Sequence, residues 1–259
     1  MDWSALLGTV ETIVRRAGQL ALDLQPHLEI SRKPDGSVVT QADRAVEQLL
    51  ADELTPLVPG SLFLGEERPM PEMIGDAPVW IVDPIDGTDS YRQGLAYFGV
   101  SVGLAVGKQL KLGVFYNPRL DELFGAARGH GAFLNGAPIH VMRDRRLETE
   151  CFICGPSDFH RSFRFFLPVK VRSLGSTAAH FALVADGRAC FCFCRPWIWD
   201  VAAGCLLVEE AGGEIRHLDG TPFRIGAFFD GRRISPPLMG GPPEILDQIN
   251  GLIRWTNKE

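Results

Sequence analysis

The residues best suited to chemistry sit in one run, Trp80-Ile81-Val82-Asp83-Pro84-Ile85-Asp86-Gly87-Thr88. An apolar strand ends in two carboxylates, Asp83 and Asp86, on either side of a proline whose ring fixes its own φ. Two acids facing one point call for a cation. Hard divalent ions take carboxylate oxygens together with water and substrate phosphate. Gly87 and Thr88 follow at once, where backbone N–H groups can approach an anion. One turn therefore offers a cation site beside a phosphate cradle. An isolated Asp-Gly would be an ordinary turn, so the reading rests on the whole string.

The elements that must hold this turn can be read from periodicity. Ser4 to Gln25 predicts a helix capped by Ser4 and stopped by Pro26. Leu28 to Arg32 predicts a strand, and Lys33-Pro34-Asp35-Gly36-Ser37 a mobile turn. A second helix opens at Thr40 or Gln41 and runs to Leu57. Strands follow over Phe98–Val106, Lys111–Tyr116 and Leu123–Ala127. The chain turns charged around Arg143 to Glu150, where a domain boundary is placed: 1–147 and 148–259. Beyond it, strands are expected over Cys151–Cys154, Val169–Arg172, Ala189–Cys194 and Glu214–Arg216. Helices are expected over Ala178–Val184, Trp199–Ala211 and Pro243–Ile253.

Three further acids stand near element ends, each with an ordinary reading. Asp43 in a first helical turn complements the helix dipole. Glu66, in Gly65-Glu66-Glu67, could be a solvated loop acid. Asp200 could simply cap its helix.

The motifs together resemble the inositol monophosphatase family of Mg²⁺-dependent phosphatases. Val39-Thr40-Gln41-Ala42-Asp43, Gly65-Glu66-Glu67, Asp83-Pro84-Ile85-Asp86-Gly87-Thr88 and Trp199-Asp200 through Gly212-Gly213 occur in the family's order. The resemblance implies a layered αβαβα fold, with an N-terminal α+β half carrying an antiparallel sheet and a C-terminal α/β half. It implies two or three Mg²⁺ ions held by Glu66, Asp83, Asp86, Asp200 and the Ile85 carbonyl. Thr88, paired with Asp43, would orient and deprotonate the attacking water, with Glu66 also in the catalytic set. The amides of Gly87 and Thr88 would hold phosphate oxygens. Gly175-Ser176-Thr177 resembles the segment that meets the leaving group, and Lys33 is a candidate for an outer role. Inositol-selective members carry a glutamate shortly before Trp-Asp. Here the run is Phe193-Cys194-Arg195-Pro196-Trp197, so an aromatic wall with Arg195 is expected to favour a ring or a second anion over a polyol. Relatives acting on histidinol phosphate, fructose bisphosphate or 3′-phosphoadenosine phosphates are the enzyme alternatives. A binding protein that keeps the fold is the non-enzyme alternative. Family members are commonly homodimers acting on small phosphorylated metabolites.

Composition sets outer bounds. The chain has 259 residues, enough for one large domain or two small ones. A net charge of −6 and a pI near 5.6 argue against a nucleic-acid backbone as main partner. No apolar run is long enough to span a bilayer, and no signal peptide is read, so a cytoplasmic location is expected. Cys190, Cys192 and Cys194 alternate with phenylalanines, which is strand spacing and not a metal knuckle. With Cys151, Cys154 and Cys205 they read as reduced, buried small hydrophobes.

Overall fold

The strand leading into the motif, Val79–Asp86, is buried at every position. Val79 and Ile81 belong to one hydrophobic cluster, Trp80 and Val82 to another. Alternate residues of a strand face opposite sides, so this strand needs a covering layer on each. The computed structural model, which describes residues 2–34, 36–71, 74–143, 147–249 and 251–256, has both layers.

In chain order the first half has α1 (Trp3–Leu24), β1 (Ile30–Arg32), β2 (Val38–Thr40), α2 (Gln41–Leu54), β3 (Leu62–Gly65), β4 (Val79–Asp86) and α3 (Thr88–Arg92). It continues with β5 (Gly99–Val106), β6 (Gln109–Asn117), β7 (Glu122–Ala127), β8 (Ala132–Leu134) and β9 (Ala137–Ile139). The second half has β10 (Phe152–Cys154), α4 (Phe159–Ser162), β11 (Phe163–Phe165), β12 (Lys170–Arg172), α5 (Thr177–Ala185), β13 (Cys192–Cys194) and α6 (Ile198–Glu210). It ends with β14 (Glu214–His217), β15 (Leu238–Gly241), α7 (Pro243–Gln248) and β16 (Ile253–Trp255).

Strands β3 to β9 form one sheet in sequence order, antiparallel except for the parallel pair β3–β4. Helices α1 and α2 cover one face through Val10, Val14, Val46 and Leu50, packed with Trp80, Val102 and Val114. Helices α5 and α6 cover the other face and also support a mixed second sheet, ordered β12-β10-β13-β15-β14. Beyond that sheet, α7 packs Ile245 and Leu246 on Phe191, Phe193 and Met239. The result is the αβαβα layering. In the second sheet Cys192 and Cys194 face α5 and α6, while Phe191 and Phe193 lie with α7. Five cysteines, Cys154, Cys190, Cys192, Cys194 and Cys205, are buried.

Several boundaries differ from those read in the sequence. Asp2, not Ser4, caps α1, its Oδ1 accepting the amides of Ser4 and Ala5 at 3.0 and 3.2 Å. The strand expected from Leu28 begins at Ile30, and the one from Ala189 begins at Cys192. The last helix stops at Gln248. After Gly251, with φ 75°, Ile253–Trp255 instead pairs with Phe163–Phe165, a strand not anticipated. Strand β15 lies in Leu238-Met239-Gly240-Gly241, where two glycines hide the strand signal. The loop around Lys33 includes Asp35, and the expected boundary adjoins 144–146; these residues lie outside those described. Residues on both sides of that boundary contribute to the cluster around α6. No helix among the described residues is long and apolar enough to cross a membrane.

Helix α6 lies so close to the first sheet that glycine is required beneath it. A Cβ on Gly113 would stand 2.7 Å from the Ala203 carbonyl oxygen, and one on Gly103 would stand 2.8 Å from the Ala202 Cβ. Gly113→Ala should therefore destabilise the protein by about 1–3 kcal/mol, the usual cost of overpacking a rigid contact. The measurement is urea unfolding, with a lower midpoint at unchanged slope expected; an unmoved midpoint would contradict this packing.

Candidate active site

Strands β3 and β4 run parallel and end side by side, Gly65 pairing with Val82 and the Glu66 amide donating to the Val82 carbonyl at 3.2 Å. This sets Glu66 next to Asp83. In a regular strand, Asp83 and Asp86, three residues apart, would face opposite sides. The pairing of β4 with β5 shifts between Asp83↔Ser101 and Asp86↔Gly99, so one extra residue is absorbed in a bulge. The bulge returns both acids to one side. Asp83 itself supports it, its Oδ1 accepting the Ile85 amide at 3.0 Å.

The other groups arrive on helix N-termini. Thr40 and Asp43 make a capping box at the start of α2, with the Thr40 amide and hydroxyl donating to Asp43 Oδ2 at 2.7 and 2.6 Å. Asp43 thus caps its helix as read, and its other oxygen, Oδ1, accepts from the Thr88 hydroxyl at 3.2 Å. That hydroxyl also lies 3.1 Å from the Ile85 carbonyl. With its hydrogen committed to either oxygen, Thr88 presents a lone pair that can accept from a water. Asp86 Oδ2 accepts from the Ser176 hydroxyl and, at 2.7 Å, from the Ala178 amide at the start of α5. Asp200, in the first turn of α6, accepts the Trp197 amide at 2.8 Å.

Glycines let these turns touch. Gly87 has φ 89°, and a Cβ there would stand 2.9 Å from the Gly175 carbonyl oxygen. Gly175 has φ 83°, and a Cβ there would collide with the Ser90 hydroxyl, which itself donates to the Leu174 carbonyl at 3.2 Å. The Asp-Gly-Thr turn and the Gly175-Ser176-Thr177 turn thus form one interlocked wall.

Carboxylate oxygens of Glu66, Asp83 and Asp200 all lie within 4.8 Å of one another. Burial, then repulsion by Glu66, Asp86 and Asp200, pushes Asp83 well above the ordinary carboxylate range. Burial, then Asp86 and Glu66, does the same to Asp200, while the Trp197 amide and Arg233 offset part of it. Asp86 is raised by burial to about 6, against the hydrogen bonds from Ser176, Ala178 and Thr177. Asp43 is raised by burial and held back mainly by Thr40. An all-oxygen set of acids that repel one another suits hard divalent cations. Lys33 stands beside Glu66, its Nζ 2.6 Å from both Glu66 and Glu67. Burial alone would lower its pKa, but those two carboxylates raise it.

Reading the sequence missed three supports. Glu47, buried, accepts the Glu67 amide at 2.9 Å and fixes the turn that carries Glu66. His180 is kept neutral by burial, its pKa lowered to about 4, and its Nε2 accepts the Leu174 amide at 3.0 Å. Arg233, from a segment without a motif, stands near the start of α6, its Nε donating to the Arg195 carbonyl at 3.0 Å. Of the expected aromatic wall, Phe193 and Cys194 are core residues, and Phe193 packs edge-on against Phe163 and Phe165, whereas Trp197 is half-buried. The Arg195 guanidinium lies 5.1 Å from the Trp255 ring centre and is not drawn into the acid cluster.

A model of the inositol monophosphatase family matches residues 2–235. The chain is 38% identical to an inositol-1-monophosphatase of Mesorhizobium japonicum over 85% of this chain and 88% of that protein. It is 35% identical to an inositol monophosphatase of Mesembryanthemum crystallinum over 86% and 88%. The solved extragenic suppressor protein suhB of Bartonella henselae superposes with a TM-score of 0.82 at 30% identity, covering 96% of this chain and 98% of that one.

The acids make a pH prediction for the metal-free protein. A carboxylate whose folded pKa lies above its unfolded value contributes fully below the unfolded value, 3.8 for aspartate, and loses that contribution as pH rises through the folded one, about 6 for Asp86. The Tm of chelator-treated protein should therefore fall as pH rises from about 4 to about 6, and Mg²⁺ should raise it more at the upper end. Asp83→Asn should raise the metal-free Tm while abolishing the Mg²⁺-dependent rise. A metal-free Tm that climbs across this range would contradict the electrostatics described.

Proposed function

Because the chain belongs to the inositol monophosphatase family and is a metal-dependent phosphoric monoester hydrolase, we propose that it uses two or three Mg²⁺ ions to hydrolyse a small phosphorylated metabolite. The observation that carries the metal assignment is the convergence of Glu66, Asp83 and Asp200. Asp86 and the Ile85 carbonyl complete the set. Asp86 commits one oxygen to the start of α5, leaving the other for a cation. Bound there, the ions would neutralise phosphate charge and lower the pKa of water.

The chain's own groups would do the positioning that dominates phosphoryl transfer. Thr88, its hydrogen donated to Asp43 or the Ile85 carbonyl, accepts from the attacking water and aims it; Asp43 draws off the proton. Glu66 shares in this set from the parallel strand. Gly87 and Thr88 stand at the start of α3, which no side chain caps, so their amides are placed for phosphate oxygens. Gly175, Ser176 and Thr177 border the leaving group. In this reading residues 1–147 bring most ligands, and 148–259 bring Asp200 and the leaving-group contacts. The family resemblance further supports a homodimer working in the cytoplasm.

Thr88→Ala should keep the cation affinity and lower kcat by about 10²-fold or more, the scale for losing a positioned proton-transfer partner. Asp43→Asn should act on the same step, so the double variant should be little worse than either single one. Phosphate release under saturating Mg²⁺ is the measurement. Fully additive losses would separate Thr88 from Asp43.

A further inference from the structure

The segment after a short 3₁₀ turn, Ile225–Phe228, folds back against the entry to α6. The Ile234 amide donates to the Pro196 carbonyl at 3.0 Å, and Arg233 Nε donates to the Arg195 carbonyl at 3.0 Å. The Arg233 guanidinium carbon then lies 5.9 Å from the ring centre of Trp197. Trp197 in turn stacks on Trp199, with centres 5.5 Å apart and planes 9° from parallel, and its amide binds the Asp200 carboxylate. A chain of direct contacts therefore runs from the acid cluster through Trp197 to one exposed guanidinium.

Two neighbouring cations, Lys33 and Arg232, are paired with carboxylates, and that guanidinium is not. Lys33 is held by Glu66 and Glu67, and Arg232 by Asp230. Arg195 lies over Trp255. Among the described residues Arg233 contacts a carbonyl and a ring and forms no ion pair. Its Nε is used, and its two Nη groups, the fork that grips an oxyanion, are not. Anchoring the stem in advance reduces the ordering that ligand binding would otherwise require.

Position decides which anion. An in-line displacement puts the attacking water and the leaving group on opposite sides of phosphorus. The Thr88–Asp43 pair comes from the α2 and α3 side. Arg233 comes from beyond α6, on the side of Asp200. Resting on the phosphomonoesterase reading above, we propose that Arg233, braced on the Trp197–Trp199 stack, forms a leaving-group subsite for a second anionic group, so that the preferred substrate carries a phosphate or carboxylate besides the phosphate removed.

The test compares fructose 1,6-bisphosphate with fructose 1-phosphate, which share a leaving-group skeleton and differ in one phosphate. The readout is the ratio of their kcat/KM values with Mg²⁺. Where turnover is slow, the ratio of their inhibition constants against glycerol 2-phosphate is used. Wild type should favour the bisphosphate. Arg233→Ala should reduce that preference about 10- to 100-fold, the range for a hydrogen-bonded charge pair. Arg233→Lys should fall between, and Arg232→Ala and Arg195→Ala, which keeps the carbonyl that anchors Arg233, should leave the ratio as in wild type. A wild type without preference for the bisphosphate overturns the proposal. So does an Arg233→Ala ratio equal to that of wild type, or a preference lost in Arg195→Ala instead. Failure of wild type to release phosphate from any of the three compounds would instead count against the phosphomonoesterase reading.

Discussion

Negative charge gathered in a buried space has to be met by something positive, and most of this molecule is arranged around that need. Asp43 faces the amide of Thr40 at the start of α2, Asp86 the amide of Ala178 at the start of α5, and Asp200 the amide of Trp197 at the start of α6. Asp83 takes the amide of Ile85. The unpaired amides of a helix start carry partial positive charge, so each helix is aimed where its acid needs it. Glu66 has no such helix and takes Lys33 instead. These partners reduce the repulsion without cancelling it, which is why the aspartates remain hard to ionise until cations arrive.

How much of this could be read in the chain depends on whether the cause was local. The motif ending in Asp83 and Asp86 is a strand that becomes a turn, and the sequence displays both. Asp43 is legible from its spacing to Thr40, since a capping box is a three-residue pattern. The bulge that turns Asp83 and Asp86 to one side is not legible, because it is defined by pairing with Ser101 and Gly99 on another strand. Arg233 has no local signature either. What places it is the carbonyl of Arg195, whose own side chain was the natural candidate from the sequence. Alternation of cysteine and phenylalanine revealed a strand, but not that α7 lies against the phenylalanines. The last strand was hidden for a related reason: Ile253–Trp255 is short and gains its identity only from Phe163–Phe165.

The rigidity of the site follows from contacts between segments far apart in sequence. Gly87 against Gly175, Gly175 against Ser90, and His180 against Leu174 fix the two turns to each other before any ligand binds. Glu47 does the same for the turn that carries Glu66. Such pre-organisation suits a reaction in which placement contributes most of the rate.

Helix α6 has a bearing on how the protein is made. Its apolar residues are buried all round, against the first sheet on one side and the second on the other. During synthesis the first sheet is complete once Ile139 has left the ribosome, while Ile198–Glu210 has yet to be translated. At roughly 5–20 residues per second, the sheet face bearing Val79, Ile81, Phe115 and Phe124 waits some seconds for its cover. A nascent chain in that interval presents a broad apolar surface, the kind that holding chaperones bind and that neighbouring chains on a polysome can wrongly share. The helix that ends this exposure is the one that delivers Asp200, so covering the sheet and completing the acid cluster are one event.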